Sequence, residues 1–270
     1  MNIRVIILMT ILLSIISGNL YASENGDVAK LLRTCNSGDM IYCGYLGHLY
    51  DRGIGVKQDY VKANNLYRKA CDGGNMLSCS SLGISYSDGR GVKQDNFKAN
   101  ELFQKACDGG EMAGCYSLAI SYVEGEGVKQ DYFKANGLFQ KACDGGEMAG
   151  CDNLGVLYAK GYGVTQNYLK AHQLFQKACK GGSMSGCDNL GVSYAKGYGV
   201  TQNHFKANEF FQKSCDGRES AGCYDLGLSY IKGEGVKQNY SKAKEFFGKS
   251  CDAGNQKGCD RYKQLNEDGY

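Results

Sequence analysis

Residues 107–115 read Cys-Asp-Gly-Gly-Glu-Met-Ala-Gly-Cys, and the same eight-residue step between cysteines occurs seven times in the chain. The leading cysteines fall at 35, 71, 107, 143, 179, 215 and 251, and their partners at 43, 79, 115, 151, 187, 223 and 259. The interval is 36 residues throughout, so a repeat governs the fold. On one continuous helix, cysteines eight apart would stand about 12 Å apart. A disulfide needs Cα atoms within about 7 Å. The glycines between them break the helix and fold the next one back, which predicts seven local bridges: Cys35–Cys43, Cys71–Cys79, Cys107–Cys115, Cys143–Cys151, Cys179–Cys187, Cys215–Cys223 and Cys251–Cys259. Each closes a loop of about nine residues, worth about 2.5 kcal/mol in the chain-entropy model. Free buried thiols are the alternative. Zinc fits less well, because there is no Cys-x-x-Cys and the three histidines (His48, His172, His204) are scattered. No metal and no cofactor is expected.

Outward from the cysteines, each repeat reads as two helices. In the first, Met112, Cys115, Leu118, Ala119 and Tyr122 share one face of a 3.6-residue period. Gly125 and Gly127 end it. Asp131 caps the second helix, and its counterparts are Asp59, Asp95, Asn167, Asn203 and Asn239. Its apolar face is expected to be Phe133, Leu138, Phe139, Ala142 and Cys143, with Gly145-Gly146 as the stop. Short loops make neighbouring helices antiparallel, and no strand pattern appears. The expected fold is an all-α, α/α repeat solenoid with one disulfide at each junction. Full repeats run 39–74, 75–110, 111–146, 147–182, 183–218 and 219–254. A partial repeat covers 24–38 and a C-terminal capping helix 255–270, within one solenoid domain spanning 23–270.

Composition agrees with a folded chain. Of 270 residues, 43% are hydrophobic and 22% charged, with 39 glycines and no proline or tryptophan. The missing proline excludes Pro-rich linkers and collagen-like repeats. Net charge is +3, with both signs spread along the chain, which argues against a nucleic-acid groove or a polybasic membrane patch. Met1–Ile16 carries Arg4 and then an apolar run, followed by small residues and a plausible cleavage point after Ala22. That run is too short to span a membrane and reads as a secretory signal over 1–22. A secreted or periplasmic protein follows, in a compartment that permits disulfides, with no membrane span after cleavage.

The motif Leu82-Gly83, Tyr86, Gly89, Gly91-Val92, Asp95, Lys98-Ala99, Lys105-Ala106 resembles the Sel1-like repeat, a relative of the tetratricopeptide repeat. With Cys-x7-Cys in every unit, the chain resembles the Helicobacter cysteine-rich protein family over almost all of its mature length. That resemblance implies an exported α/α superhelix, penicillin binding, slow β-lactam hydrolysis and a role in host interaction.

The residues themselves offer limited chemistry. Of the serine β-lactamase motifs, Ser-Asp-Asn and Lys-Thr-Gly are absent. Ser-x-x-Lys occurs at Ser193–Lys196, Ser229–Lys232 and Ser241–Lys244, where chance gives about two. Ser193 and Lys196 are helical neighbours placed opposite Cys187, Leu190 and Tyr194, so a lysine-activated serine in an exposed groove is a candidate. A binding face is the better-founded expectation. One position of the first helix carries Tyr45, Ser81, Ser117, Asn153, Asn189 and Asp225. In related scaffolds, groove asparagines bond the backbone of an extended peptide, and Asn153 and Asn189 match that role by resemblance. Tyr116 and Tyr224, one residue earlier, would add aromatic contact; the alternative is a merely polar surface. Lys62, Lys98, Lys134, Lys170, Lys206 and Lys242 read as solvated stems. The expected partner is a peptide, a protein, a peptidoglycan-like fragment or a β-lactam, bound by a monomer, with a purely non-enzymatic protein-protein interaction scaffold or a secreted host-interaction effector as the alternative.

Overall fold

The computed structural model describes residues 24–270, with side chains from 28 onward; the expected signal segment and its cleavage point lie outside them. Among the described residues there are fourteen helices and no strand. They divide into two compact units, one ending at Asp95 and one running Asn96–Tyr270. The first holds α1 (Glu24–Asn36), α2 (Met40–Arg52), α3 (Tyr60–Asp72) and α4 (Met76–Asp88). The second holds α5 (Asn96–Asp108), α6 (Met112–Glu124), α7 (Tyr132–Asp144), α8 (Met148–Lys160), α9 (Tyr168–Lys180), α10 (Met184–Lys196), α11 (His204–Asp216), α12 (Ser220–Lys232), α13 (Tyr240–Asp252) and α14 (Gln256–Glu267). No described helix is long and apolar enough to cross a membrane.

The helices begin and end where the local chemistry directs. Asp131 accepts from Lys134 N at 3.0 Å, satisfying one of the orphan amides at the start of α7. Gly125 closes α6 in the left-handed region at φ 78°, where a side chain would be strained. Thirteen residues, between three and four turns, therefore separate one cap from the next stop. At the junctions all seven expected bridges are present, with Cα separations from 4.4 to 4.7 Å, and no cysteine is left free. Arg218 is the one non-glycine residue at positive φ among those described (64°), at a junction position glycine holds in the other full repeats.

One expected core residue is displaced. Phe133 is 77% exposed, whereas Ala135, Asn136, Phe139, Ala142 and Cys143 form the inner face of α7. The cap at Asp131 fixes where the helix starts, and the inward positions then fall at 135, 139, 142 and 143; Phe133, two residues before Ala135, points away. Phe139 packs under Leu154 and Ala119 in the largest core cluster. Close approach of the helices needs a small residue: a Cβ on Gly155 would meet the Phe175 ring at 2.6 Å.

Two polar devices recur between neighbouring repeats within the units. A buried asparagine on the second helix donates to a turn carbonyl 26 residues later: Asn100 to Glu126 O, Asn136 to Tyr162 O and Asn208 to Glu234 O, at 2.7–2.9 Å. Asn64 does the same to Arg90 O in the first unit. A lysine near the end of one second helix donates to the last turn of the previous one, Lys141 to Cys107 O and Lys177 to Cys143 O, which suits the helix dipole. The recurrent lysines of the first turn are engaged within their own repeat. Lys134, Lys170, Lys206 and Lys242 lie 4.2–5.4 Å from the ring centres of Tyr122, Tyr158, Tyr194 and Tyr230.

Candidate functional site

In the second unit the first helices of neighbouring repeats touch, α8 with α10 and α10 with α12. Polar side chains of neighbouring first helices, α6 with α8 and α8 with α10, meet in a fixed register of 37 residues. Asn153 Nδ2 donates to Tyr116 OH at 3.3 Å, and also to Ala149 O at 3.0 Å. Asn189 Nδ2 donates to Asp152 Oδ1 at 2.8 Å. The next step in the same register matches Asp225 to Asp188, where no hydrogen bond forms and the two carboxyls repel. Two amide-centred rungs are thus followed by one made of two carboxyls.

That last rung has unusual electrostatics. Asp188 is only 9% exposed, and its Oδ1 has no hydrogen-bond partner. Burial first, then repulsion from Asp225, Glu219 and Asp152, pushes its carboxyl up to about 8. Burial also raises Asp225, against the pull of Lys196 and Lys232. Asp152 is raised by burial in spite of the hydrogen bonds it accepts from Asn189 and Ser185. Tyr116 is raised by burial as well, opposed by its bond from Asn153.

Beside Asn189 lies a cleft of about 330 Å³ between α8, α9 and α10. Its walls are Val156, Ala159, Ala171, Phe175 and Val192, with Asn189, Ser193 and Lys160 as the polar lining. Tyr168 and Tyr198, stacked at 4.5 Å, complete it. The cleft follows from two truncations. One repeat earlier the matching positions hold Leu157, which is buried, and Val123; here they hold Ser193 and Ala159. In the same repeat His172 takes the place of the clamping asparagine. It is buried, stands edge-on to Tyr194 at 5.2 Å, and burial lowers its pKa.

The expected site residues separate into two groups. Asn153, Asn189 and Asp225 do lie along one first-helix face. Tyr116 and Tyr224 sit there too, but their rings pack inward on Phe139 and Phe247 at 5.8 and 5.5 Å. The serine–lysine pair differs from its expected placement in an exposed groove. Ser193 is 3% exposed, and its hydroxyl donates to Asn189 O at 3.0 Å. A serine in a helix commonly adds its hydroxyl to the carbonyl four residues back, which already accepts the serine's own backbone N–H, and Ser229 does the same to Asp225 O. Lys196 acts electrostatically on Asp225. Sequence reasoning passed over Asp152, Asp188 and His172. The visible signal was Asp-Asn at 152–153 and again at 188–189, where other repeats carry Gly-Tyr, Ser-Ser, Tyr-Ser or Tyr-Asp. Among the described residues no group of three or more His, Cys, Asp or Glu could hold a metal ion.

A family model described as Sel1 repeat matches residues 43–75, 77–111, 113–147, 149–183, 185–218 and 220–255. A comparison with curated proteins finds no match. Among solved structures, a protective antigen present in uropathogenic Escherichia coli strains is 30% identical with a TM-score of 0.78, over 91% of this chain and 52% of that one. The chain thus spans about half the length of that antigen. A Sel1 repeat protein from Oxalobacter formigenes is 23% identical with a TM-score of 0.74, over 78% of this chain and 85% of that one, and shares the fold. Cysteine rich protein B of Helicobacter pylori is 34% identical over 49% of this chain and 96% of its own, with a TM-score of 0.40. The matched repeats cover most of the sequence, in register with the helix pairs and their bridges, and the chain belongs to the Sel1 repeat family.

Proposed function

We propose that the protein is an exported interaction scaffold whose first-helix face in the second unit holds an extended peptide or a peptide-bearing cell-wall fragment. The observation that carries this reading is the pair Asn153 and Asn189 on successive first helices. Each uses its amide nitrogen to brace the neighbouring repeat, which leaves its carboxamide oxygen as an acceptor without a partner among the described residues. An acceptor repeated at the step of the fold suits a ligand that offers backbone N–H groups along its length. The cleft beside Asn189 offers an apolar wall for ligand side chains. Seven disulfides suit an oxidising compartment, in keeping with the signal-like pattern of residues 1–22.

The test is selection of peptides from a displayed library on the immobilised full chain, followed by their affinity for Asn153→Ala/Asn189→Ala. Loss of about one hydrogen bond per site should weaken binding by tenfold or more. Unchanged affinity would move the binding surface elsewhere. Opening of a β-lactam ring, implied by the Helicobacter resemblance, would need a nucleophile whose hydroxyl is free. With Ser193 bonded to Asn189 O, any turnover of a chromogenic cephalosporin by the purified protein should be equal in Ser193→Ala; a tenfold loss would reinstate the serine.

A further inference from the structure

The second residue of successive second helices is a large apolar side chain left in solvent. In the second unit these are Phe97, Phe133, Leu169 and Phe205, with 63%, 77%, 56% and 65% exposure. A single exposed apolar side chain needs no explanation. Recurrence at one position on four helices does, because nothing in the packing of the repeat requires it: α13 carries Ser241 there and folds alike.

Packing aims these side chains along one edge. The turn of each following repeat lies on the backbone just before them. A Cβ on Gly163 would stand 2.7 Å from Phe133 N, one on Gly199 2.6 Å from Leu169 N, and one on Gly235 2.7 Å from Phe205 N. With the core on one side and the turn over the backbone, the side chain points outward. The same turns present Tyr162 and Tyr198, 44% and 43% exposed, the first tilted against Tyr132 and the second stacked on Tyr168. Around Leu169 and Phe205 the charge is largely of one sign, whereas the stretch 124–134 that carries Phe133 is mixed, with Glu124, Glu126 and Asp131 against Lys129 and Lys134. Stretches 160–170, 196–206 and 232–242 carry Lys160 and Lys170, Lys196 and Lys206, and Lys232, Lys237 and Lys242, with Glu234 as their only acid. Glu234 is already paired with Lys232 at 3.8 Å. Interleaved signs along the sequence hide this edge, which the fold assembles from three repeats.

We propose that this turn edge of the second unit is a docking surface for an anionic lipid headgroup layer. Phe, Leu and Tyr side chains would enter the interface and lysines would meet the phosphates, a contact lying on the membrane and not crossing it. The side chains project one per repeat. A protein partner draws its affinity from a contiguous, well-packed patch, whereas a headgroup layer accepts separate insertions and needs only matching charge.

The full chain with its disulfides intact can be sedimented with vesicles of phosphatidylcholine containing about one-third phosphatidylglycerol, and with phosphatidylcholine alone, at about 0.1 M and about 0.5 M salt. The wild type should bind the anionic vesicles, about tenfold more weakly at high salt, and leave the neutral ones. Phe133→Ser/Leu169→Ser/Phe205→Ser should weaken binding at least tenfold while keeping the wild-type thermal melt, since serine already stands at 241. Lys160→Gln/Lys237→Gln should reduce the preference for anionic vesicles. Asn153→Ala/Asn189→Ala should bind vesicles as the wild type does, which separates this surface from the peptide face. Binding undiminished in the serine variant, or equal on neutral vesicles, would overturn the proposal. So would no binding at all, which would leave the edge to a protein partner.

Discussion

Asp188 is the side chain whose protonation changes most on folding. Its carboxyl titrates at about 8 in the folded chain, against about 3.9 unfolded. The folded protein therefore holds an extra proton between those limits. The stabilisation this brings is complete below about pH 4 and is lost as pH rises towards 8. Urea midpoints should accordingly fall from pH 5 to pH 8. Asp188→Asn, which would recreate the amide–carboxylate rung of Asn189 and Asp152, should flatten that slope and add on the order of 2 kcal/mol at pH 8. Identical slopes in both proteins would contradict the acid pair. Arg218 offers a second test at this scale. It holds a left-handed conformation that costs a side chain about 1 kcal/mol, so Arg218→Gly should raise stability by about that much in the same melts. Arg218 was legible as a departure from the repeat. The Asp188–Asp225 pair was not, because the two are 37 residues apart and meet only when helices of adjacent repeats stack.

Helices, caps and stops were readable because their causes are local: Asp131 and Gly125 act within a few residues of themselves. The inner face of α7 was misread at Phe133, since apolar identity was taken for burial while the cap had already set the phase of the helix. The cleft was invisible for the opposite reason. Ser193 drew notice only as a partner of Lys196 and Ala159 drew none, and only their joint position against Phe175 leaves space. Between elements, the buried asparagine clamps make a direct prediction. Asn208→Ala removes the bond to Glu234 O and leaves that turn carbonyl unpaired, which should cost about 1–2 kcal/mol in chemical denaturation. A loss below a few tenths would show that the clamp is dispensable.

Across the molecule, glycine-rich units that touch only their neighbours have little besides junction contacts to hold them. A covalent bridge at each of seven junctions answers that need. Removing one bridge, Cys179→Ala/Cys187→Ala, should cost about 2.5 kcal/mol by the loop it closes. The most direct measurement is proteolysis of the oxidised full chain without reductant, with the linked peptides identified by mass spectrometry. The structure predicts seven crosslinks, each joining cysteines eight residues apart, and no thiol that reacts with an alkylating reagent. Free thiols, or links between cysteines of different junctions, would contradict it.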